Sequence, residues 1–142
     1  MKYQKLNIFI GWVVFAISAF VYISTIEPTA SFWDCGEFIA TGFKLEVGHP
    51  PGAPVFMLLT RFFTLFAGGN VQLVAMMANI MSALASAFTI LFLFWTITHL
   101  AKKILGANEL SLGQTIAILG SGAVGALAFT FSDSFWFSAV EG

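Results

Sequence analysis

Charge is scarce in this chain: Asp, Glu, Lys and Arg make up 9% of its 142 residues, six basic and seven acidic, for a formal net charge of −1. So even a balance excludes a basic nucleic-acid surface and leaves the position of each charge as the informative quantity. Cysteine occurs once, at Cys35, which rules out an intramolecular disulfide. The two histidines, His49 and His99, lie far apart, so no metal-ligand spacing appears and neither metal nor cofactor is expected.

What is plentiful is apolar surface. The chain is 58% hydrophobic and 16% aromatic, with a mean hydropathy of +0.91, well above the roughly 45–50% apolar content of soluble domains. This predicts an all-α protein of the lipid bilayer. Leu6 to Ile26 is a charge-free apolar run long enough to cross a hydrocarbon core of ~30 Å at ~1.5 Å per residue. Val71 to Ala101 is a second run, ended by Lys102 and Lys103, and Leu112 to Phe131 is a third. Lys2 and Lys5 at one end, and Lys102 and Lys103 at the other, put the amino terminus and the second–third connection in the cytoplasm by the positive-inside rule. Small residues recur at i, i+4 as Ser121 with Gly125, Gly122 with Ala126, and Ala78, Ser82 and Ser86, a pattern that lets helix backbones approach closely in lipid. Gly120 to Gly125 formally reads G-x-G-x-x-G, but no strand precedes it, so helix packing explains it better than a dinucleotide.

The stretch Pro51 to Gly69 is apolar enough to suggest another crossing. A crossing would place Arg61 in mid-membrane at a cost of ~2.5 kcal/mol or more and would invert the lysines at 102 and 103. A helix lying in the outer interface is expected instead, with Thr60, Arg61 and Thr64 as its polar stripe. The loop of about 27–70 is then extracytoplasmic, and most acids collect outside: Glu27, Asp34, Glu37, Glu46, Asp133 and Glu141, with Lys44 and Arg61. Positive-inside bias does not explain acids.

Ser31-Phe-Trp-Asp34 has capping-box spacing, so a helix is expected to start at Ser31, with Glu37 one turn beyond Asp34. Phe32, Trp33, Phe38 and Ile39 make the surroundings apolar, and desolvation and mutual repulsion should raise the carboxylate pKa values towards those of a general base. Capping alone is the plainer explanation for Asp34. Gly48 to Pro54, GHPPGAP, is a rigid loop, and His49 either closes a turn or contacts substrate. Lys44 and Arg61 flank this loop and can pair with phosphate or with lipid headgroups. Ser132 to Gly142 repeats Ser-Phe-Trp at Ser134 to Trp136 and carries Asp133 and Glu141, acids able to complete an outward-facing cleft.

The runs Trp33-Asp34-Cys35-Gly36-Glu37, Gly48-His49-Pro50-Pro51-Gly52 and Ser132-Asp133-Ser134-Phe135-Trp136 closely resemble the amino-terminal region of glycosyltransferase family 117. Those multipass proteins are related to protein O-mannosyltransferases, and the likeness covers essentially the whole chain. The resemblance implies a GT-C-like multipass helical bundle and transfer of a sugar, mannose or a similar hexose, from a polyprenyl-phosphate carrier to a protein hydroxyl on the extracytoplasmic side. It casts Asp34 as catalytic base with Glu37 as partner or substitute, and Lys44, His49, Arg61, Asp133 and Glu141 as substrate contacts. The partners implied are the lipid-linked sugar, an acceptor protein and the bilayer, without nucleic acid. The location implied is a bacterial inner membrane with a periplasmic site. Family members continue through many more helices, so residues 1–142 are expected to be the amino-terminal part of such a domain. A non-catalytic scaffold is the main alternative; a transporter is less favoured, because no charge lies inside the three expected spans.

Overall fold

A computed structural model describes residues 3–31, 34–50, 52–106 and 109–141. The described residues form helices α1 (Tyr3–Ser24), α2 (Cys35–Lys44), α3 (Pro54–Thr64), α4 (Val74–Leu105), α5 (Leu112–Thr130) and α6 (Asp133–Val140). Short 3-10 turns at Leu65–Ala67 and Val71–Leu73 join α3 to α4. No strand occurs among the described residues. Three helices, α1, α4 with its preceding turn, and α5, are long and apolar enough to cross a membrane, making this an all-α, multipass membrane protein.

The helix ends differ from those read off the hydropathy. The second span runs through Lys102 and Lys103 to Leu105. Cations in a last turn complement the helix dipole instead of terminating it, and the left-handed Gly106, φ +60°, follows the last helical residue. Lys102 Nζ also lies 5.2 Å from the Tyr3 ring, linking the lysine end of α4 to the start of α1. α5 opens on a true capping box, the Ser111 side chain accepting from Gln114 N–H and the Gln114 side chain from Ser111 N–H. Lys2 lies outside the described residues.

The chain divides into two compact units, residues 1–21 with 86–136, and residues 22–85 with 137–142. In the first, α1 and α5 both pack against α4 through glycines. A Cβ on Gly11 would stand 2.5 Å from Trp95 Nε1, and one on Gly122 would stand 2.5 Å from Thr98 Cγ2 and 3.1 Å from the Phe94 ring. Val14, Ile90, Leu91, Phe94 and Ile118 are buried there. α1 meets α5 where Ser18 Oγ and Thr130 Oγ1 come within 3.0 Å, each hydroxyl also lying 3.0 Å from a carbonyl of its own helix, Val14 and Ala126 respectively.

The second unit is built on the first half of α4. Ile39 of α2, Ala67, Val74 and Ala78 form its apolar core, with Phe43, Leu73, Ala75 and Met77 packed around them. α2 lies directly on α3, since a Cβ on Gly42 would meet Thr60 Cγ2 at 2.6 Å. From Pro54 to Ala67 the chain is helical for too short a distance, ~21 Å at ~1.5 Å per residue, to span ~30 Å. Its polarity is the reverse of the expected stripe. Thr60 and Thr64 are 0% and 2% exposed, whereas Val55, Leu58, Phe62, Leu65 and Phe66 face outward. The cause is packing: Thr60 lies under Gly42 and its hydroxyl reaches Met81 Sδ of α4 at 3.7 Å, while Thr64 bonds back to the Arg61 carbonyl.

Candidate functional site

The connection from α1 to α2 determines where the first acid stands. Asn79 of α4, fully buried, donates from Nδ2 to the carbonyls of Glu27 (2.8 Å) and Thr29 (3.2 Å). Glu27 N–H donates to the carbonyl of Val140 at the end of α6 (3.2 Å), and the Glu27 carboxylate accepts from Thr29 N–H and Oγ1–H. Residues 27–29 are thus held by three groups before the helix can begin. The expected start at Ser31 is not realised: α2 begins at Cys35, with Asp34 as its N-cap. Asp34 has helical angles, φ −79° and ψ −3°, and its carboxylate makes no capping hydrogen bond. Its carbonyl accepts from Phe38 N–H instead. Phe32 and Trp33, expected to make the acids' surroundings apolar, lie outside the described residues.

Glu37 stands one turn into α2, and its carboxylate is committed elsewhere. Oε1 accepts from the backbone N–H of His49 at 2.8 Å, and Oε2 lies 3.0 Å from His49 Nδ1. Gly48 permits this approach, for a Cβ there would stand 3.2 Å from Oε1. The ring of His49 rests edge-on to Phe38, which in turn contacts Phe56 of α3. His49 also closes a turn, its carbonyl accepting from Gly52 N–H with Gly52 at φ +75°. The two bonds from His49, backbone first and ring second, hold the Glu37 carboxyl below its ordinary range. The same ring contact, then Glu37's charge and, more weakly, Asp34's, raise the His49 imidazole above its own. The raised carboxylate expected for the acid pair is therefore reversed at Glu37, because the backbone N–H of His49 and then its ring bond the carboxylate.

The other candidate cations lie away from this pair. Lys44 closes α2, ten residues and ~15 Å from its start, with Nζ 4.0 Å from Glu46 Oε1 in an exposed pair. Arg61 donates to the Phe43 carbonyl at 2.9 Å and lies over the Phe43 ring at 5.4 Å, capping the same end of α2. His49 is the imidazole held at the Asp34 end. Glu141 follows α6, and its charge, after burial and ahead of that of Asp34, raises the Cys35 thiol pKa. Asp34, Cys35, Glu37, His49 and Glu141 all belong to residues 22–85 and 137–142, whereas Asp133 opens α6 within the other unit. Beside the His49 loop, Leu45, Val47, Gly48, Ala53, Met57 and Leu58 line an open, largely apolar cavity of about 440 Å³. No cluster of His, Cys, Asp and Glu suited to a metal occurs among the described residues.

Fold and site together define a multipass membrane protein with an acidic centre in the loop between its first two spans. Residues 34–142 match the family model described as the protein O-mannosyl-transferase TMEM260 N-terminal domain, and the chain belongs to that family. It is 36% identical over 106 residues to the mouse protein named protein O-mannosyl-transferase TMEM260, covering 71% of this chain and 15% of that one. It is 27% identical over 130 residues to the Dictyostelium discoideum protein named protein O-mannosyl-transferase tmem260, covering 92% of this chain and 14% of that one. The chain thus spans about one seventh of the length of these curated relatives. Both are eukaryotic, which gives the expected bacterial inner membrane no support. No solved structure matches.

Asn79 was missed by sequence reasoning. It is the sort of signal a hydropathy scan smooths over, one amide near the start of a long apolar run, and polar groups in such places call for a partner.

Proposed function

We propose that this chain is the amino-terminal portion of a membrane O-mannosyltransferase. In this reading it helps to transfer mannose or a similar hexose from a polyprenyl-phosphate carrier to a hydroxyl of an acceptor protein on the extracytoplasmic side. The observation carrying the proposal is Asp34: an acid just past the first span whose carboxylate is not consumed by capping the helix it opens. The acceptor oxygen attacks the anomeric carbon, the bond from that carbon to the phosphate oxygen breaks, and the phosphate leaves with the electron pair. Asp34 takes the hydroxyl proton. A lipid phosphate is already a good leaving group, so a base and a nearby cation supply most of what the protein must add. His49, whose imidazole pKa Glu37 raises, is the phosphate contact nearest the base, and Glu37 acts through it. Lys44 and Arg61 serve the phosphate only at longer range, and Glu141 remains an acceptor-side contact. The apolar cavity beside His49 suits the first units of an isoprenoid chain. The amino terminus is cytoplasmic in this orientation.

Transfer from labelled polyprenyl-phosphate mannose to an acceptor protein, by the full-length protein in membranes, tests the reading. Asp34→Asn should lower kcat by ~10²–10⁴-fold. Unchanged transfer in that variant would remove Asp34 from the chemistry.

A further inference from the structure

We infer that Asn79 is a positioning residue for Asp34, an inference resting on the reading of Asp34 as base. Asn79 is wholly buried in α4, and its Oδ1 has no hydrogen-bond partner among the described residues. A buried orphan acceptor is destabilising, and an apolar residue of similar size would avoid it. What that residue would lose is the pair of bonds from Nδ2 to the Glu27 and Thr29 carbonyls. Those bonds fix residues 27–29, five to seven positions before Asp34. Glu27 also donates to Val140, next to Glu141, so one amide indirectly registers both the leader into α2 and the exit from α6. Asp34 has no side-chain bond holding it to its own helix end. The position of its carboxylate accordingly depends on how α2 is entered, and the entry depends on Asn79.

Two readouts on different footings test this. Cys35 is adjacent to Asp34, and in the full-length protein its maleimide alkylation against pH, read on its own peptide, reports its burial first and then the approach of Glu141 and Asp34. Asn79→Leu should bring the alkylation midpoint towards that of a free thiol, with a rate gain of about threefold or more at neutral pH. The effect should be non-additive with Asp34→Asn, since both act on the same charge. In the full-length protein Asn79→Leu should lower kcat by ~10-fold or more with little change in KM. Asn79→Asp, isosteric but without a donor when ionised, should regain transfer relative to the wild type at the same pH as pH falls and its carboxyl protonates to supply one of the two bonds, a rescue that general loss of folding would not give. Additive effects on Cys35, or wild-type kcat in Asn79→Leu, overturn the inference. If the Cys35 cycle couples but Asp34→Asn transfers normally, the positioning stands and the role of Asp34 as base falls.

Discussion

Glu37 and His49, 12 residues apart, are joined twice, one carboxylate oxygen taking the histidine's backbone N–H and the other facing its ring nitrogen. The bond to the backbone fixes the loop; the contact with the ring fixes a charge.

The pair should make the loop's rigidity depend on pH. Glu37, with its pKa lowered from 4.5, contributes fully above that value and loses its contribution as pH falls through the lower folded value. His49, with its pKa raised from 6.5, contributes fully below 6.5 and loses its contribution as pH rises through the higher folded value. Both are complete between these two ordinary values, and the bond to the His49 backbone survives at higher pH. Amide protection of residues 45–49, measured relative to the intrinsic exchange rate at each pH, should be greatest in that window and weaker on either side, and Glu37→Gln should flatten the profile. A profile unchanged by Glu37→Gln would mean that other groups set it.

Asp34→Asn should leave folding almost untouched while removing transfer. Asn is as good an N-cap as Asp, and the native carboxylate makes no cap bond to lose. The expected stability change is within about 0.5 kcal/mol, read by thermal unfolding in detergent. A larger loss would show that the carboxylate supports the fold.

Gly122 and Gly120 form a built-in comparison on α5. A Cβ at Gly122 collides with Thr98 and Phe94, whereas one at Gly120 meets nothing within 4 Å. Gly122→Ala should cost about 1–3 kcal/mol through forced separation of α4 and α5, and Gly120→Ala should be neutral or mildly stabilising through helix propensity. Equal melting temperatures for the two variants would contradict the close approach.

Arg61→Met should lower stability by about 1–2 kcal/mol, because the Phe43 carbonyl loses its charged donor and the Phe43 ring its cation. Arg61→Lys should recover part of that, an ammonium being able to reach one acceptor without the planar stacking. A loss of transfer without any loss of stability in Arg61→Met would instead make Arg61 a substrate contact.

The three long helices could be read from the sequence because a bilayer demands unbroken apolar runs, and such runs are a local property. Their ends were less legible. Lys102 and Lys103 sit inside the last turn of α4, and Gly106 rather than the lysines follows its last residue. The capping box at Ser31 does not start α2, which begins at Cys35, and the bonds that hold residues 27–29 just ahead of it come from afar, from Asn79, 50 positions from Thr29, and from Val140. The same limit hid the Glu37–His49 pair, which depends on how a proline-rich loop folds back over α2. On α3 the residue types were right and the facing was wrong, since Thr60 and Thr64 pack inward on α2 and α4 and leave the apolar side outward.

The contact between Ser18 and Thr130 bears on how the spans come together. A hydroxyl has one proton, so in the assembled protein one of the two donates to its own helix and accepts from the other. Before they meet, each can donate to its own carbonyl. Neither hydroxyl is therefore left unsatisfied in lipid while its helix waits for the other, although 112 residues of chain separate them. Insertion of α1 need not await synthesis of α5, and their docking is a proton's change of acceptor rather than the burial of a new polar group.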